Sequence, residues 1–359
     1  MILQQLSLRD FRSYSQGSFT FRPDSNIIFG ENGKGKTNLL EAILLLTGGR
    51  SWRAAKKSEL VRWDAPSAFL EAGIQSSGRY KEIRMELPPS GRTQASVNGV
   101  KVKRQYDLAD HLRCVLFSPE DLHIVKGAAS GRRSFMDDAL CQLRPRYGEI
   151  LARYQKLLES KSKLLKTEEH RDLALAQLPE YDLQLARYGA AIISYRARFL
   201  EALGKEAALM HSEISGGKEQ LQLSYQTVST VKDPFAPEEQ LFSWLMEHLD
   251  SHRKAEEATM QCLSGVHKDD IPMTINQRDA KAYASQGQTR SAALSLKFGL
   301  RELLRRDNGE YPILLLDDVL SELDSARQAF VAQHAMGGQS IITCCEGQNA
   351  FGNAHVIHL

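Results

Sequence analysis

Gly30-Glu31-Asn32-Gly33-Lys34-Gly35-Lys36-Thr37 fits the pattern G-x-x-x-x-G-K-[ST]; it follows the apolar run Asn26 to Phe29 and opens a helical run, Asn38 to Leu46. Strand, glycine-rich loop and helix are the context that a phosphate-binding loop requires. The glycines let backbone N–H groups approach phosphate oxygens closely, and the helix aims the positive end of its dipole at them. Lys36 is placed to reach the β and γ phosphates of ATP, and Thr37 to offer its hydroxyl to Mg2+.

A second constellation lies near the other end of the chain. Tyr311-Pro312-Ile313-Leu314-Leu315-Leu316-Asp317-Asp318 is an apolar run ending in two carboxylates. The apolar part predicts a central strand buried on both faces. Two adjacent acids at its mouth would be costly unless they met a metal or a catalytic water. Asp317 is the candidate Mg2+ ligand, and Asp318 the candidate base that orients and deprotonates the attacking water, with Lys36 as its catalytic partner. Between the two motifs lie Ser285-Gln286-Gly287-Gln288 and a helical stretch from Ala292 to Arg305; after the acids comes Ser321-Glu322-Leu323-Asp324.

In this order the elements resemble the ATP-binding-cassette ATPases, whose signature loop is similar to Ser285, Gln286, Gly287 and Gln288 and whose D-loop is similar to Ser321 to Asp324. Features along the whole chain resemble more narrowly the RecF family, the bacterial recombination and replication-repair proteins of the SMC-like branch. They are Leu8 to Tyr14, Gly30 to Thr37, Phe117 to Leu122, Arg132 to Asp137, His267 to Asp270, Ala284 to Arg290 and Leu314 to Asp324. The resemblance implies an α/β ATPase head with a second lobe that carries a short antiparallel coiled-coil arm. It further implies two heads sandwiching two ATP molecules, each held by the loop of one copy and the signature of the other. The implied activity is weak, DNA-stimulated ATP hydrolysis in repair of gapped DNA and fork maintenance, with RecR and RecO as partners. Ser285 and Gly287 open a helix, which makes an anion site that a γ-phosphate could fill. The chain departs from the wider class in two ways: Ile341 to Glu346 holds no switch histidine, and the second acid is Asp318 rather than glutamate. Both predict slow turnover. No unambiguous Q-loop glutamine is visible, and Ser118 to Glu120 is the candidate for that connection.

Positioning motifs so far apart requires an insertion. At 359 residues the chain is long enough for two cores. Leu3–Leu8, Ser18–Phe21, Phe69–Ile74 and Glu82–Leu87 have strand character, and Asn98-Gly99 marks a tight hairpin. After Pro119 the period becomes helical: Tyr147, Ile150, Leu151, Tyr154, Leu157 and Leu158 form one stripe, and Tyr181, Leu185, Tyr188, Ile192, Tyr195 and Phe199 a coiled-coil seam. Two antiparallel helices are predicted, the first from about Ser134 to Lys166 and about 50 Å long. The expected division is a nucleotide lobe over 1–118 and 260–359 and an arm lobe over 119–259.

Lys and Arg total 46 against 44 Asp and Glu, so any polyanion surface must be local. Candidate DNA-binding clusters are Arg50, Arg53, Lys56 and Lys57; Lys101, Lys103 and Arg104; and Arg132 and Arg133. Each also fits a solvated face. Arg12 has two readings, an ATP phosphate contact or a structural ion pair. His267, Asp269 and Asp270 could suggest a metal, but such residues on a turn more often hydrogen-bond locally. Five scattered cysteines without C-x-x-C argue against disulfides and zinc, and no apolar run approaches a membrane span, so the chain reads as cytoplasmic. A transporter nucleotide-binding subunit and an SMC-type tether are the rival functions. The long helical insertion opposes the first, and the shortness of that insertion opposes the second.

Overall fold

The apolar run before Asp317 packs as the sequence demands. In the computed structural model, which describes residues 1–169, 171–344 and 354–359, the strand Ile313–Asp317 is buried at every position. It lies inside a five-stranded parallel sheet in the order His355–His358, Ser25–Phe29, Ser340–Cys344, Ile313–Asp317, Cys114–Phe117. Parallel strands carry ligands beyond their C-terminal ends. Gly30 and Asp317 both sit there, with Ser340–Cys344 between their strands.

The strand-like first third folds into a six-stranded antiparallel sheet, ordered Tyr14–Thr20, Ile2–Phe11, Ala68–Ser76, Arg79–Leu87, Gln94–Val97, Val100–Lys101. Leu6, Leu8, Leu70, Ala72, Ile83 and Met85 alternate onto its buried face and join Leu39, Leu40 and Ile43 of the helix Lys36–Leu46 in one core. The hairpin turn has positive φ at both Asn98 (50°) and Gly99 (78°), the conformation that matches the strand twist.

The chain divides into two compact units. The first comprises Met1–Leu122, Glu206–Glu219 and Ser285–Leu359, and the second His123–Lys205 and Gln220–Ala284. These boundaries extend the expected first segment from 118 to Leu122 and depart from the expected division more widely in two other places. Glu206–Glu219 joins the nucleotide unit because the end of a long helix packs on the helix Gln286–Asn308: a Cβ at Gly299 would lie 2.9 Å from the Ala207 backbone nitrogen, so the approach needs glycine. Residues 260–284 belong to the inserted unit because Met273–Ile275 pairs with Leu221–Leu223 and with Arg278–Asp279.

The inserted unit is mostly helical, with helices Ala129–Leu143, Pro145–Leu165, Leu178–Ile214 and Glu238–Thr259 as its main elements. The single first helix expected from 134 to 166 is two helices. Arg144, at φ −141° and ψ 88°, leaves the helical region because the residue before a proline is driven toward extended conformations. Pro145 then serves as a first-turn residue, where its missing N–H costs nothing. The partner helix, 37 residues long, supplies the seam through buried Leu185, Ile192 and Phe199.

Two buried polar clusters bind these helices together. Arg196 bonds Asp137, Asp269 and the Val266 carbonyl, and Lys161 is enclosed between Asp182 and Glu256. Glu256 also accepts the N–H groups of Leu263 and Ser264, so it holds the chain where it leaves the last long helix.

Candidate functional site

The phosphate loop owes its shape to two glycines in the left-handed region, Gly33 at φ 84° and Gly35 at φ 100°. Gly35 also lacks room for a side chain, since a Cβ would lie 2.9 Å from the Tyr14 hydroxyl. Tyr14 donates to the Gly35 carbonyl at 3.2 Å, and Asn38 donates to Ser13 at 2.9 Å, so the hairpin after Phe11 braces the loop.

Lys36 is buried, and its ammonium turns back to the carbonyls of Gly30 (2.6 Å) and Glu31 (3.1 Å). These carbonyl oxygens stand where phosphate oxygens would compete for the same donor. Thr37 donates to Asp317 Oδ1 at 2.9 Å, which brings the two distant motifs into direct contact. Asp317 is 6 % exposed, and burial raises its carboxyl above the usual range, against the lowering influence of the Thr343 and Thr37 hydroxyls and of Arg53. Glu120 raises it further by a small amount. Asp318 is exposed and sits in the left-handed region at φ 51°, uncommon for a residue with a Cβ. Its N–H donates to Thr343 Oγ1 at 2.9 Å.

A hydroxyl and a carboxylate oxygen in contact are hard oxygen donors of the kind Mg2+ takes. Beside the loop, a groove of about 730 Å³ is lined by Arg12, Ser13, Asn38, Arg62, Trp63 and Asp64 among others, and Trp63 is 92 % exposed. Its volume suits a small molecule.

Of the two readings of Arg12, the structure shows the ion pair directly. Its Nε and Nη2 donate to both oxygens of fully buried Glu41 at 2.8 and 2.6 Å, and its Nη1 donates to the Glu59 carbonyl. The structural ion pair is therefore present, and the same side chain lines the groove beside the loop.

The signature begins at Ser285, which caps the helix Gln286–Asn308. Its Oγ accepts the Gln288 N–H, and the Gln288 side chain accepts the Ser285 N–H at 2.9 Å, a reciprocal capping box. Ser285 and Gln286 are exposed. Asp324 likewise caps the helix Ser325–Ala335. Arg327, one turn on, bonds Asp324 and donates to the Gly287 carbonyl (2.9 Å) and Ser291 (3.0 Å). Signature and D-loop are therefore tied by a residue no motif marks. Ser321 donates to the Asp318 carbonyl at 3.3 Å. Cys345 and Glu346, where a switch histidine is missing from the sequence, lie outside the described residues.

Two of the basic clusters meet. Lys57 donates to Gly91 and Thr93, Arg92 donates to the Lys103 carbonyl, and Gln105 donates to the Gly49 carbonyl. These bonds tie the segments carrying Arg50, Arg53, Lys56, Lys57, Arg92, Lys103 and Arg104, all exposed, to one another, while Arg53 itself donates to Asn38 beside the phosphate loop. Lys101, also exposed, donates to Gln94. The third cluster is different. Arg132 is 5 % exposed, with Nε and Nη2 on the two Asp270 oxygens at 2.6 and 2.9 Å, so it is a buried ion pair and not a DNA ligand. Arg133 donates to the Asp269 carbonyl.

The same contacts account for the His267 to Asp270 motif without a metal. His267 Nδ1 meets the Tyr154 hydroxyl at 3.0 Å, Nε2 faces the Cys262 carbonyl, and Asp269 meets Arg196 and Tyr225. Among the described residues no group of three or more His, Cys, Asp or Glu could hold a metal ion. Burial pushes the His267 imidazole down to about 4. Between that value and the ordinary 6.5 the unfolded chain binds a proton that the folded chain refuses, so stability falls as pH falls through this window. In chemical denaturation at pH 7 and pH 5, the wild type is expected to lose about 1 to 2 kcal/mol more than His267→Gln.

The RecF/RecN/SMC N-terminal domain family matches residues 2–356. The DNA replication and repair protein RecF of Clostridium perfringens strain SM101 is 36 % identical over 344 residues, covering 96 % of this chain and 93 % of the relative. That of Clostridium tetani is 34 % identical over 349 residues, covering 97 % and 94 %. A solved structure of the recombination mediator protein RecF with ATP, of the RecFOR pathway, superposes with a TM-score of 0.86 at 34 % identity, covering 97 % of this chain and 94 % of that one. An Smc head domain from Pyrococcus furiosus, at TM-score 0.53 and 18 % identity, covering 99 % of this chain and 92 % of that one, shares the fold.

Proposed function

The chain belongs to the RecF branch of the RecF/RecN/SMC family of DNA replication and repair proteins, and from that premise we propose that it is an ATP-driven dimer that clamps DNA at gaps. The observation that carries the ATP part is the 2.9 Å contact between Thr37 of the loop and Asp317 of the acid pair, at the mouth of the parallel sheet. Gly30 to Thr37 would wrap the triphosphate, Thr37 and Asp317 would hold Mg2+, and the groove at Trp63 would take the nucleoside. Asp318 would orient water for hydrolysis to ADP and phosphate, slower than the about 1 to 100 per second of kinases.

Exposure of Ser285 and Gln286 supports a role toward a second copy: the capped helix start would meet the γ-phosphate held by the partner's loop. ATP then favours the dimer by binding it more tightly than the monomer. The basic face formed by residues 50–57, 92 and 103–104 would bind DNA phosphates with little base reading. The solved RecF relative's place in the RecFOR pathway supports RecR and RecO as partners.

Sedimentation of wild type, Lys36→Arg and Ser285→Arg, with and without ATP and then with duplex DNA across a salt series, tests this reading. Wild type is expected to dimerise with ATP and to bind DNA with a clear salt slope. Ser285→Arg should bind ATP yet stay monomeric, and both variants should lose tight DNA binding. DNA binding indifferent to ATP and to Ser285→Arg would refute the coupling.

A further inference from the structure

We propose that Thr343 is a positioning residue for the acid pair: one buried hydroxyl holds both the side chain of Asp317 and the backbone of Asp318. The inference rests on the ATPase reading above and names a residue that reading does not use. Thr343 is the penultimate residue of the strand Ser340–Cys344, in parallel register with Asp317. It is 1 % exposed. Its Oγ1 lies 2.9 Å from Asp317 Oδ1, an acceptor when ionised, and 2.9 Å from the Asp318 nitrogen, a donor. The hydroxyl therefore gives its proton to one acid and receives the N–H of the next. A hydroxyl can donate and accept at once; an isosteric valine can do neither.

Asp318 needs such a hold. Left-handed backbone costs a residue with a Cβ on the order of 1 kcal/mol and persists where the surroundings fix it. The Thr343 hydroxyl fixes the N–H of that residue, and Ser321 donates to its carbonyl. The direction in which the Asp318 carboxylate leaves the strand is thus set from the neighbouring strand. Asp317 Oδ1 accepts two hydroxyls, from Thr37 and from Thr343. Thr37 belongs to the phosphate loop, whereas Thr343 does not, so Thr343 is the partner that keeps Asp317 in place when the loop's hydroxyl is drawn to a cation.

The test compares Thr343→Val, Thr343→Ala and Thr343→Ser in the full chain. For Val and Ala, ATP binding and ATP-driven sedimentation should stay within about threefold of wild type, while turnover falls about 10- to 100-fold. Hydrogen exchange at the Asp318 amide should accelerate at least about tenfold, because its acceptor is gone. Serine should restore both the slow exchange and most of the turnover. Wild-type turnover in Val and Ala, unchanged exchange at Asp318, or a serine variant as impaired as valine would each overturn the proposal. If wild type itself fails to hydrolyse ATP, the functional reading fails, and the exchange contrast still decides whether Thr343 holds Asp318.

Discussion

Arg196→Met is expected to cost about 3 to 5 kcal/mol, the range for removing one partner of a buried ion pair, and to unfold the inserted unit at a markedly lower urea concentration. The Arg196 side chain is 2 % exposed. It donates to Asp137 Oδ1 at 2.9 Å, Asp269 Oδ2 at 2.7 Å, the Val266 carbonyl at 2.8 Å and the Tyr147 hydroxyl at 3.1 Å. Methionine fills much of the volume but leaves Asp269, whose side chain is fully buried, without its cation. Burial already raises the Asp269 carboxyl, and Arg196 is the foremost influence opposing that rise. The double variant Arg196→Met/Asp269→Asn should recover part of the loss, because the uncompensated charge, rather than the missing bonds, is the larger cost. The exposed pair Lys205–Glu201 on the same helix is the control: Lys205→Ala should change stability by less than about 1 kcal/mol. Equal effects of the two variants would show that water reaches Arg196.

The parts of the site that depend on local sequence are legible in the sequence itself. A phosphate loop needs its glycines, lysine and threonine within eight consecutive residues, and Gly33 and Gly35 have the positive φ that their composition implies. The buried strand before Asp317 and the helix start at Ser285 are equally local, and the structure adds a cap at Asp324 beyond what was expected from the sequence. The long-range pairings were not readable. Arg132 sits in a basic run that resembles a solvated phosphate contact, yet its partner Asp270 is 138 positions away. Arg12 finds Glu41, and the Asp317–Asp318 pair finds Thr343, by the same kind of encounter. Sequence shows a charge or a hydroxyl but not what lies across the fold from it.

The domain boundaries failed for a related reason. Periodicity marks where helices run, and the helix Leu178–Ile214 runs without a break from one compact unit into the other. Its continuity concealed the boundary, which tertiary packing at Ala207 and Gly299 sets. Pro145 was the exception. The helix break it imposes at Arg144 was written in the sequence, and the apolar stripe begins only beyond it, at Tyr147.

Mixing Lys36→Ala with Ser285→Arg is expected to restore ATP hydrolysis that neither variant has alone. Lys36→Ala removes the phosphate-reaching ammonium but leaves the signature intact, and Ser285→Arg does the reverse. In a two-fold dimer each site joins the loop of one copy to the signature of the other. A mixed dimer therefore has one site with two sound halves and one with two broken halves. Random assortment would make half the dimers mixed and return about a quarter of wild-type activity; because Ser285→Arg does not pair with itself, recovery should lie between about a quarter and half if the sites act independently. Ser285→Arg loses a helix cap worth about 1 kcal/mol, too little to unfold the unit, so its defect would be at the interface. Recovery requires subunits to meet, so it should rise with protein concentration. If each variant instead keeps its own fixed activity and the mixture gives only their average, loop and signature serve the same chain, and the dimer is not the unit of hydrolysis. Activity above half of wild type would mean that the sound site is driven beyond its independent rate, since independent sites cannot exceed about half even when every dimer is mixed.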